Sequence, residues 1–302
     1  MSSSTSMPDS LVPAVDRSGG AVPIAAFDAY DLIGYQASVG AATDEAHADV
    51  RTLLQGFGPV DVDQGLHLPR YELVPTGRVW QLRINSTLVQ EDVDLVSSLG
   101  ALEWHVMNAA LAFRSDLLQL HGAALCAPTE RAAILLIGDS GSGKTTLALG
   151  LMLRGFTPYG DDVVAVDRET LEVRPVRRAF HVSDQTRRVA AASTGGALAW
   201  ANGLPGFFSP PQWAERPAPI RWVLFVAYAE HEATRLQPLS SAEAATAMLG
   251  QTINLAGSAR PALSAAVRLV ESARIFRLVS GGLDDALAVI QHLVAEPVST
   301  AD

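Results

Sequence analysis

The stretch AAILLIGDSGSGKTTLALGLM, residues 132–152, decides the fold of this chain. It begins with an apolar run that predicts a buried strand. The run is followed by Gly138-Asp139-Ser140-Gly141-Ser142-Gly143-Lys144-Thr145, which fits the phosphate-binding pattern G-x-x-x-x-G-K-[ST]. A helix is predicted over Thr145–Arg154, with Gly155 as its stop signal. A strand, a glycine-rich loop and a helix in this order are the context in which the pattern binds phosphate groups.

Each residue type in this loop has a physical reason. The glycines let the backbone curl so that successive N–H groups point at an anion, and the helix adds the partial positive charge of its N-terminus. Lys144 is expected to reach the β and γ phosphate oxygens, and the Thr145 hydroxyl to coordinate Mg²⁺. We therefore expect ATP with Mg²⁺ to bind at Gly138, Asp139, Ser140, Gly141, Ser142, Gly143, Lys144, Thr145 and Thr146, with the Asp139 side chain turned toward solvent.

The composition limits the classes of protein to which the chain can belong. Its 302 residues, 48% of them apolar, suffice for one large domain or two ordinary ones. The net charge of −10 argues against a nucleic-acid or anionic-membrane surface, since both need neutralising Lys and Arg. Of the 22 basic residues, Lys144 alone is a lysine, and a single cysteine excludes an internal disulfide framework. The apolar runs are too short to span a membrane, and the N-terminus lacks a secretory signal, so we expect a cytoplasmic protein.

A pair of aspartates follows the phosphate loop. Asp161 and Asp162 lie at the start of the next predicted strand, Val163–Val166. Because successive strand residues point to opposite sides, the two carboxylates are expected to have different roles. One would hold Mg²⁺, and the other would face the acceptor and take a hydroxyl proton during phosphoryl transfer. A turn of solvated acids is the alternative interpretation.

A family resemblance rests on these residues. The segment GDSGSGKTTLALGLMLRGFTPYGDDVVAVD resembles the core of the HPr serine kinase/phosphorylase family, and Leu120-His121-Gly122-Ala123 resembles that family's His-Gly strand. The resemblance covers residues 119–167 and implies an α/β fold, a P-loop kinase core of the HPr-kinase and phosphoenolpyruvate-carboxykinase type. It implies that Asp162 accepts the proton, Lys144 binds phosphate and His121 lies beside the transferred group, with Thr145 and Asp161 around Mg²⁺. From the residue pattern alone, His121 would more often be an ordinary buried histidine.

Two parts of the chain depart from that family. The segment Leu171-Glu172-Val173-Arg174-Pro175 comes too soon after Asp162 to match the family's Leu-Glu-Ile-Arg-Gly signature, and it favours a hairpin edge. The family's N-terminal domain is not recognisable in residues 23–115, which argues against the HPr protein as substrate. The layout resembles instead the HPr-kinase-related proteins of peptide-modifying gene clusters. Since related kinases assemble as hexamers, the resemblance also implies a homo-oligomer.

The chain is predicted to contain a disordered leader (1–22), a small β-rich α+β module closed by a long helix (23–115), a phosphate-loop domain (116–296) and a tail (297–302). Strands are expected at Tyr30–Val39, Tyr71–Pro75, Val79–Ile84, Leu120–Cys126, Ala179–Val182, Trp222–Ala229 and Ile275–Val279. Helices are expected at Ser241–Leu249, Ala262–Ser272 and Leu283–Val294, and the module's helix carries an apolar stripe from Leu95 to Phe113.

Three weaker features each have two interpretations. Arg260 is either an arginine that steadies transition-state charge or, as favoured here, a surface residue. The basic residues Arg177, Arg178, Arg187 and Arg188 either grip an acidic peptide or phosphate product or form a solvated face, which is the favoured interpretation. Residues 202–213 form an apolar loop of the kind used as a lid or a docking site.

Together these observations predict an ATP- and Mg²⁺-dependent kinase that transfers the γ-phosphoryl group to a Ser or Thr hydroxyl of a protein or peptide. Asp162, Lys144 and His121 are the predicted catalytic residues. One alternative is a nucleotide-gated binding or assembly protein with slow or no hydrolysis. A small-molecule kinase is another, since it would use the same loop. The sequence does not identify the acceptor.

Overall fold

The fold was analysed in a computed structural model that describes residues 24, 26–61, 67–128, 131–194 and 204–296. The predicted leader and tail lie outside these residues, as do the first two residues of the 202–213 loop. The described chain is a mixed α/β structure built on two large sheets. Within the described residues, no helix has the length and apolar character needed to cross a membrane.

The N-terminal sheet has five strands that lie side by side in chain order. They are β1 (Ala26–Leu32), β2 (Tyr35–Ala41), β3 (Arg70–Thr76), β4 (Val79–Ile84) and β5 (Thr87–Asp92). β2 and β3 are parallel, and the other neighbours are antiparallel. Two helices belong to this part, α1 (Asp44–Leu53) between β2 and β3, and α2 (Leu95–Phe113) after β5. We call these residues, 26–113, the N-terminal module.

Sequence patterns gave only part of this module. The single strand expected over 30–39 is two strands, because Ile33 and Gly34 both adopt positive φ and form a tight hairpin turn. Neither α1 nor β5 was predicted. The apolar stripe of α2 is buried from Leu99 to Ala110, but Phe113 is exposed, contrary to expectation.

The second sheet has eight strands and contains the phosphate loop. Its strands in chain order are β6 (Leu117–Cys126), β7 (Ala133–Ile137), β8 (Thr157–Gly160), β9 (Val163–Asp167), β10 (Glu172–Arg174), β13 (Ala218–Tyr228), β14 (Arg235–Pro238) and β15 (Arg274–Ser280). The helices of this part are α3 (Lys144–Met152), α4 (Asp184–Thr194), α5 (Ser241–Gly250), α6 (Leu255–Ser272) and α7 (Leu283–Ala295). A separate two-stranded ribbon pairs β11 (Phe180–His181) with β12 (Phe207–Phe208). Along the sheet the order is β10-β9-β6-β7-β13-β15-β14, with β8 also on β6.

This sheet is covered on both faces by helices. β7, β13 and β15 run parallel, as strands buried on both sides commonly do. Alternate residues of β13 pack on opposite faces: Trp222 and Leu224 contact the α3 and α7 side, whereas Val223 and Phe225 contact the α5 and α6 side. Both faces of the central strands therefore carry core residues.

Strand β6 brings His121 and the Asp161–Asp162 pair close together. Its second half lies between β7 and β8, whereas its first half pairs with β9. His121 stands where the partner changes, and the chain bends between β8 and β9 at Asp161 and Asp162. The end of the phosphate-loop strand, the histidine and the aspartate pair are thereby brought to one edge.

Several elements of this second part differ from expectation. α4, β8 and β14 were not predicted, and α6 begins before Pro261 rather than after it. The early start of α6 follows from tertiary contacts: Ile253 N–H donates to the Gln119 carbonyl at 2.8 Å, and Asn254 donates to the Leu117 carbonyl at 2.8 Å. The segment 171–175 contains β10, which forms an antiparallel hairpin with β9, as the hairpin interpretation expected.

A separate apolar cluster joins the N-terminal module to the second part. Leu99, Leu102 and Val106 of α2 belong to the same buried cluster as Val176, Ala179 and Phe207 of the second part. The contact is close at Gly56, where a Cβ would lie 2.1 Å from the Arg177 carbonyl oxygen. The division into two domains stays a prediction, but the described module packs directly on residues 176–179.

We expect Gly56→Ala to destabilise the protein by about 1–3 kcal/mol, because its methyl group would overlap the Arg177 backbone and force the two parts to separate. The measurement is the free energy of urea unfolding. Gly250→Ala is the matched control: Gly250 ends α5 and a Cβ there meets nothing within 4 Å. That substitution should be neutral or stabilise by about 0.4–1 kcal/mol. Equal effects of the two substitutions would contradict the close packing.

Candidate functional site

The loop between β7 and α3 has the backbone conformation of a phosphate cradle. Gly141 and Gly143 adopt φ of +80° and +95°, values that side-chain-bearing residues rarely adopt. Gly138 is required for a different reason, since a Cβ there would lie 2.6 Å from the Val226 carbonyl oxygen of the neighbouring strand. The loop leads directly into the N-terminus of α3, which begins at Lys144. Backbone N–H groups and a helix N-terminus therefore converge at this point.

Lys144 is held inside the loop. Its side chain is buried, and Nζ donates to the carbonyl oxygens of Gly138 at 2.8 Å and Asp139 at 2.7 Å. Burial lowers its pKa, while the nearby carboxylates oppose that change, Asp161 most strongly. The two hydrogen bonds fix the Nζ of the single lysine at the mouth of the cradle, where an ammonium group would attract an anion.

Asp161 is the buried member of the aspartate pair. It is 3% exposed, and its Oδ2 accepts a hydrogen bond of 2.8 Å from the Thr145 hydroxyl. Its other oxygen, Oδ1, is buried and has no hydrogen-bond partner among the described residues. Burial raises its pKa to about 6, against the opposing effects of Thr145 and Lys144. A buried carboxylate oxygen without a partner is costly, so its presence points to a ligand.

The donor set at this position fits Mg²⁺. Magnesium prefers oxygen ligands and is commonly held by one or two carboxylates together with substrate phosphates. Asp161 and Thr145 would hold it here, and the ion would neutralise charge on the phosphate oxygens. The described residues contain no group of three or more His, Cys, Asp and Glu side chains able to hold a metal ion.

Asp162 is the exposed member of the pair and faces the cavity. Its backbone adopts φ of +68°, an uncommon value that Asp tolerates better than most residues. The Nδ1–H of His121 donates to the Asp162 carbonyl at 3.1 Å and lies 3.3 Å from Oδ1 of its side chain. The His121 hydrogen bond, together with the charge of Arg178, holds the pKa of Asp162 well below its ordinary value. The carboxylate is therefore ionised at neutral pH.

A third carboxylate, that of Glu103 in the N-terminal module, is connected to Asp162 through Arg178. Arg178 is 7% exposed and donates from Nη1 to Asp162 and from Nε and Nη2 to Glu103 of α2, the Nη2 bond measuring 2.8 Å. Glu103 is 1% exposed and also lies 3.3 Å from His181 Nε2. Burial opposes its ionisation, but the His181 hydrogen bond and the Arg178 charge outweigh burial and keep its pKa lowered. We call Glu103, Arg178 and Asp162 the carboxylate clamp.

Asp161 and Asp162 border one cavity of about 670 Å³, whereas Glu103 and Arg178 lie behind its wall. Its polar wall contains His121, Lys144, Thr145, Asp161, Asp162 and His181, together with Ser140, Gly141, Ser142, Gly143 and Thr146. Gly138 and Asp139, which were predicted to bind nucleotide, do not line it. The Asp139 carboxylate instead accepts a hydrogen bond of 2.7 Å from Gln251 on the exposed surface. One side of α4, the ends of β13 and β15, and the start of α7 complete the cavity.

The structure agrees with the interpretation favoured for Arg260 and differs from the one favoured for Arg178. Arg260 is exposed on α6 and does not line the cavity. The solvated face favoured for the basic cluster is wrong for Arg178, which is buried and paired. Glu103 and His181 were missed altogether. A signal for Glu103 did exist, since it stands between Leu99 and Val106 at helical spacing, inside the apolar stripe, where an acid needs a buried partner.

No family model matches the chain, and no curated protein matches its sequence. Among solved structures, the chain is similar to that of the "Hpr(Ser) kinase/phosphatase from Coxiella burnetii". The two share 10% sequence identity, the match covers 59% of this chain and 99% of that chain, and the TM-score is 0.28. The likeness is a distant structural relationship. The assignment of the site therefore depends on the geometry of its residues.

The two aspartates should affect stability in opposite directions. At about 1.4 kcal/mol per pH unit, the raised pKa of Asp161 corresponds to a cost of about 3 kcal/mol at neutral pH. This cost exists above the folded pKa of about 6 and shrinks as the pH falls toward 4, because the folded state then binds the proton first. We expect Asp161→Asn to raise the melting temperature at pH 7.5 without divalent metal, and less so at pH 5.

Asp162→Asn is the matched comparison for that measurement. It removes a carboxylate whose pKa is lowered by His121 and Arg178, and it leaves the buried guanidinium with one partner fewer. Asp162→Asn should therefore lower the melting temperature at pH 7.5. Thermal unfolding of both variants beside the wild type is the measurement. A destabilising Asp161→Asn would contradict the assignment of Asp161 as a strained buried charge.

Proposed function

We propose that this protein is an ATP- and Mg²⁺-dependent kinase of the P-loop type, related in core architecture to HPr kinases, that phosphorylates a Ser or Thr hydroxyl. One observation carries the proposal: the cradle holding Lys144, the buried Asp161 and the cavity-facing Asp162 border one cavity. A phosphate cradle alone is compatible with binding. An ionised carboxylate turned toward the same cavity adds a group that can receive a proton from an acceptor.

The chemistry divides between the two ends of this polar wall. Loop N–H groups and Lys144 bind the β and γ phosphates, and Mg²⁺, when bound through Asp161 and Thr145, lowers the charge on their oxygens. The acceptor oxygen forms a bond to the γ phosphorus, and the bond from that phosphorus to the β–γ bridging oxygen breaks, so that ADP leaves. The proton of the acceptor hydroxyl passes to the Asp162 carboxylate. His121 and Arg178 keep that carboxylate ionised and in place.

Two observations support the proposed acceptor class. The resemblance of residues 138–167 to HPr-type serine kinases supports a hydroxyl on a protein or peptide. The position of Asp162 supports it as well, since its side chain is 43% exposed at the cavity while its neighbour Asp161 is buried. We propose a cytoplasmic enzyme whose partner is such a phospho-acceptor, without a nucleic-acid or membrane partner.

The first test is transfer of labelled γ-phosphate from ATP and Mg²⁺, with the protein alone and with candidate acceptor peptides. Wild type should label a Ser or Thr. Asp162→Asn should lower the transfer rate by about a hundredfold or more, the usual scale of general-base loss, while it still binds ATP. Lys144→Met should lose ATP binding itself. Tight binding of ATP without transfer, and with an Asp162 variant that behaves as wild type, would support a nucleotide-gated binding protein instead.

A second prediction concerns Glu103, which we assign as a positioning residue acting through Arg178. In a double-mutant cycle, Glu103→Gln should slow transfer about tenfold in the wild-type background and have little further effect in Arg178→Met, because coupled residues are not additive. ATP affinity should stay within about twofold, since neither residue belongs to the phosphate cradle. The control is Asp28→Asn, which breaks an ion pair with Arg51 inside the same module. Equal losses in both backgrounds would reduce Glu103 to a general structural role.

A further inference from the structure

The cavity has a second wall that the proposed phosphoryl chemistry does not use. It contains Tyr228 at the end of β13, Ser280 at the end of β15, and Gly282 and Leu283 at the start of α7. Val189, on α4, lines the cavity too. None of these residues carries a formal charge. Lys144, Asp161 and Asp162 belong to the polar wall, so these formal charges lie on one side. The other side presents the Tyr228 ring and the Leu283 side chain beside the Ser280 hydroxyl, and the uncharged polar residues Ser183, Gln185 and Thr186 also line the cavity.

The sheet order places these two walls on opposite sides of the phosphate loop. The loop follows β7, and β6, which carries His121 and pairs with β8 and β9, is the neighbour of β7 on one side. β13 and β15 are the next strands on the other side. Because β7, β13 and β15 are parallel, the chain leaves all three at the same edge of the sheet. Neighbouring strands lie about 4.8 Å apart, so β15 stands about 10 Å from β7.

This arrangement fixes the direction in which a nucleotide would lie. The terminal phosphate belongs beside Asp162, where the acceptor must approach. The rest of the molecule then has to leave the loop on the side away from Asp162, toward β13 and β15. There the nucleoside would meet Tyr228 and Leu283.

Tyr228 has the properties of a stacking platform. Its side chain lies on the same face of β13 as those of Leu224 and Val226, which pack toward α3 and α7. The pairing of β13 with β15 is regular from Trp222 to Tyr228. Unlike those buried residues, it is 54% exposed, although it pairs with Ser280 inside the sheet. An aromatic ring exposed at the wall of a cavity offers a flat apolar face, which is the surface on which nucleobases stack.

We propose that Tyr228 and Leu283, with Gly282 between sheet and helix, form the nucleobase subsite of this protein. The inference rests on the proposed nucleotide site and adds the residues that would recognise the nucleoside rather than the phosphates. The ligand class is a nucleoside triphosphate whose base lies flat against the Tyr228 ring. Gly282 leaves room at this wall, since a Cβ there would meet no atom within 4 Å.

The test compares two anions that share phosphates but not a base. Binding of ATP and of inorganic tripolyphosphate, each with Mg²⁺, is measured by calorimetry. Tyr228→Ala should weaken ATP binding by about tenfold, the scale of one base–aromatic stack, and leave tripolyphosphate binding within about twofold. Tyr228→Phe keeps the ring and should bind ATP as wild type does. Trp104→Ala, which removes an exposed ring of α2 that does not line the cavity, is the control and should change neither affinity.

Gly282→Leu provides an independent variant, because it adds bulk where the structure has space and Gly282 already has an extended backbone with φ of −161°. It should weaken ATP binding and spare tripolyphosphate. Wild-type ATP affinity in both Tyr228→Ala and Gly282→Leu would overturn the subsite while leaving the kinase proposal standing. Equal losses for ATP and tripolyphosphate would show that the wall only supports the loop. If wild type bound neither anion, the nucleotide site itself would be wrong, and the subsite would be wrong with it.

Discussion

The carboxylate clamp is the interaction on which the geometry of the site depends. A buried guanidinium such as that of Arg178 is tolerated only when carboxylates surround it, because removal of one partner leaves an uncompensated charge. One of those carboxylates, Glu103, comes from the N-terminal module, and the other is the predicted proton acceptor Asp162. The module therefore contributes a buried charge that reaches Asp162 through Arg178, although the residues lining the cavity belong to the second part. Its apolar packing on residues 176–179 places the arginine between the two acids.

Two adjacent aspartates acquire opposite properties because the chain turns between them. At Asp161, burial outweighs the Thr145 hydrogen bond and the charge of Lys144 and raises the pKa to about 6. Asp162, with its backbone in the left-handed region, faces His121 and Arg178, and its pKa is lowered. Environments that shift the pKa values of two neighbouring groups in opposite directions are typical of sites in which one group binds a cation and the other accepts or donates a proton. The two adjacent residues are thus suited to the two different tasks that we propose for them.

How far the sequence could predict this site depended on how local each signal was. The loop, its lysine and the following helix lie within about twenty consecutive residues, so the sequence motif and the physical reason for each residue type predicted the same segment. Strand alternation predicted different surroundings for Asp161 and Asp162, but its premise was wrong: both residues lie in the bend between β8 and β9, and the positive φ of Asp162 separates their environments. Glu103 was detectable as an acid in an apolar stripe, but its partner Arg178 could not be chosen among neighbouring arginines without the tertiary fold. For Tyr228 there was no signal, since an aromatic residue ending an apolar strand looks like ordinary core.

The low pKa of Asp162 also constrains how it can act. A general base is most effective when its pKa lies near the working pH, and Asp162 is held far below that range by the clamp and by His121. Phosphoryl transfer, however, passes through a loose transition state in which bond formation to the acceptor is small, so early removal of the proton gains little. A weakly basic carboxylate that is fixed in position can orient the acceptor hydroxyl and receive its proton late in the reaction. The clamp meets that requirement, because Arg178 lowers the basicity of the Asp162 carboxylate and at the same time keeps it ionised and fixed in position.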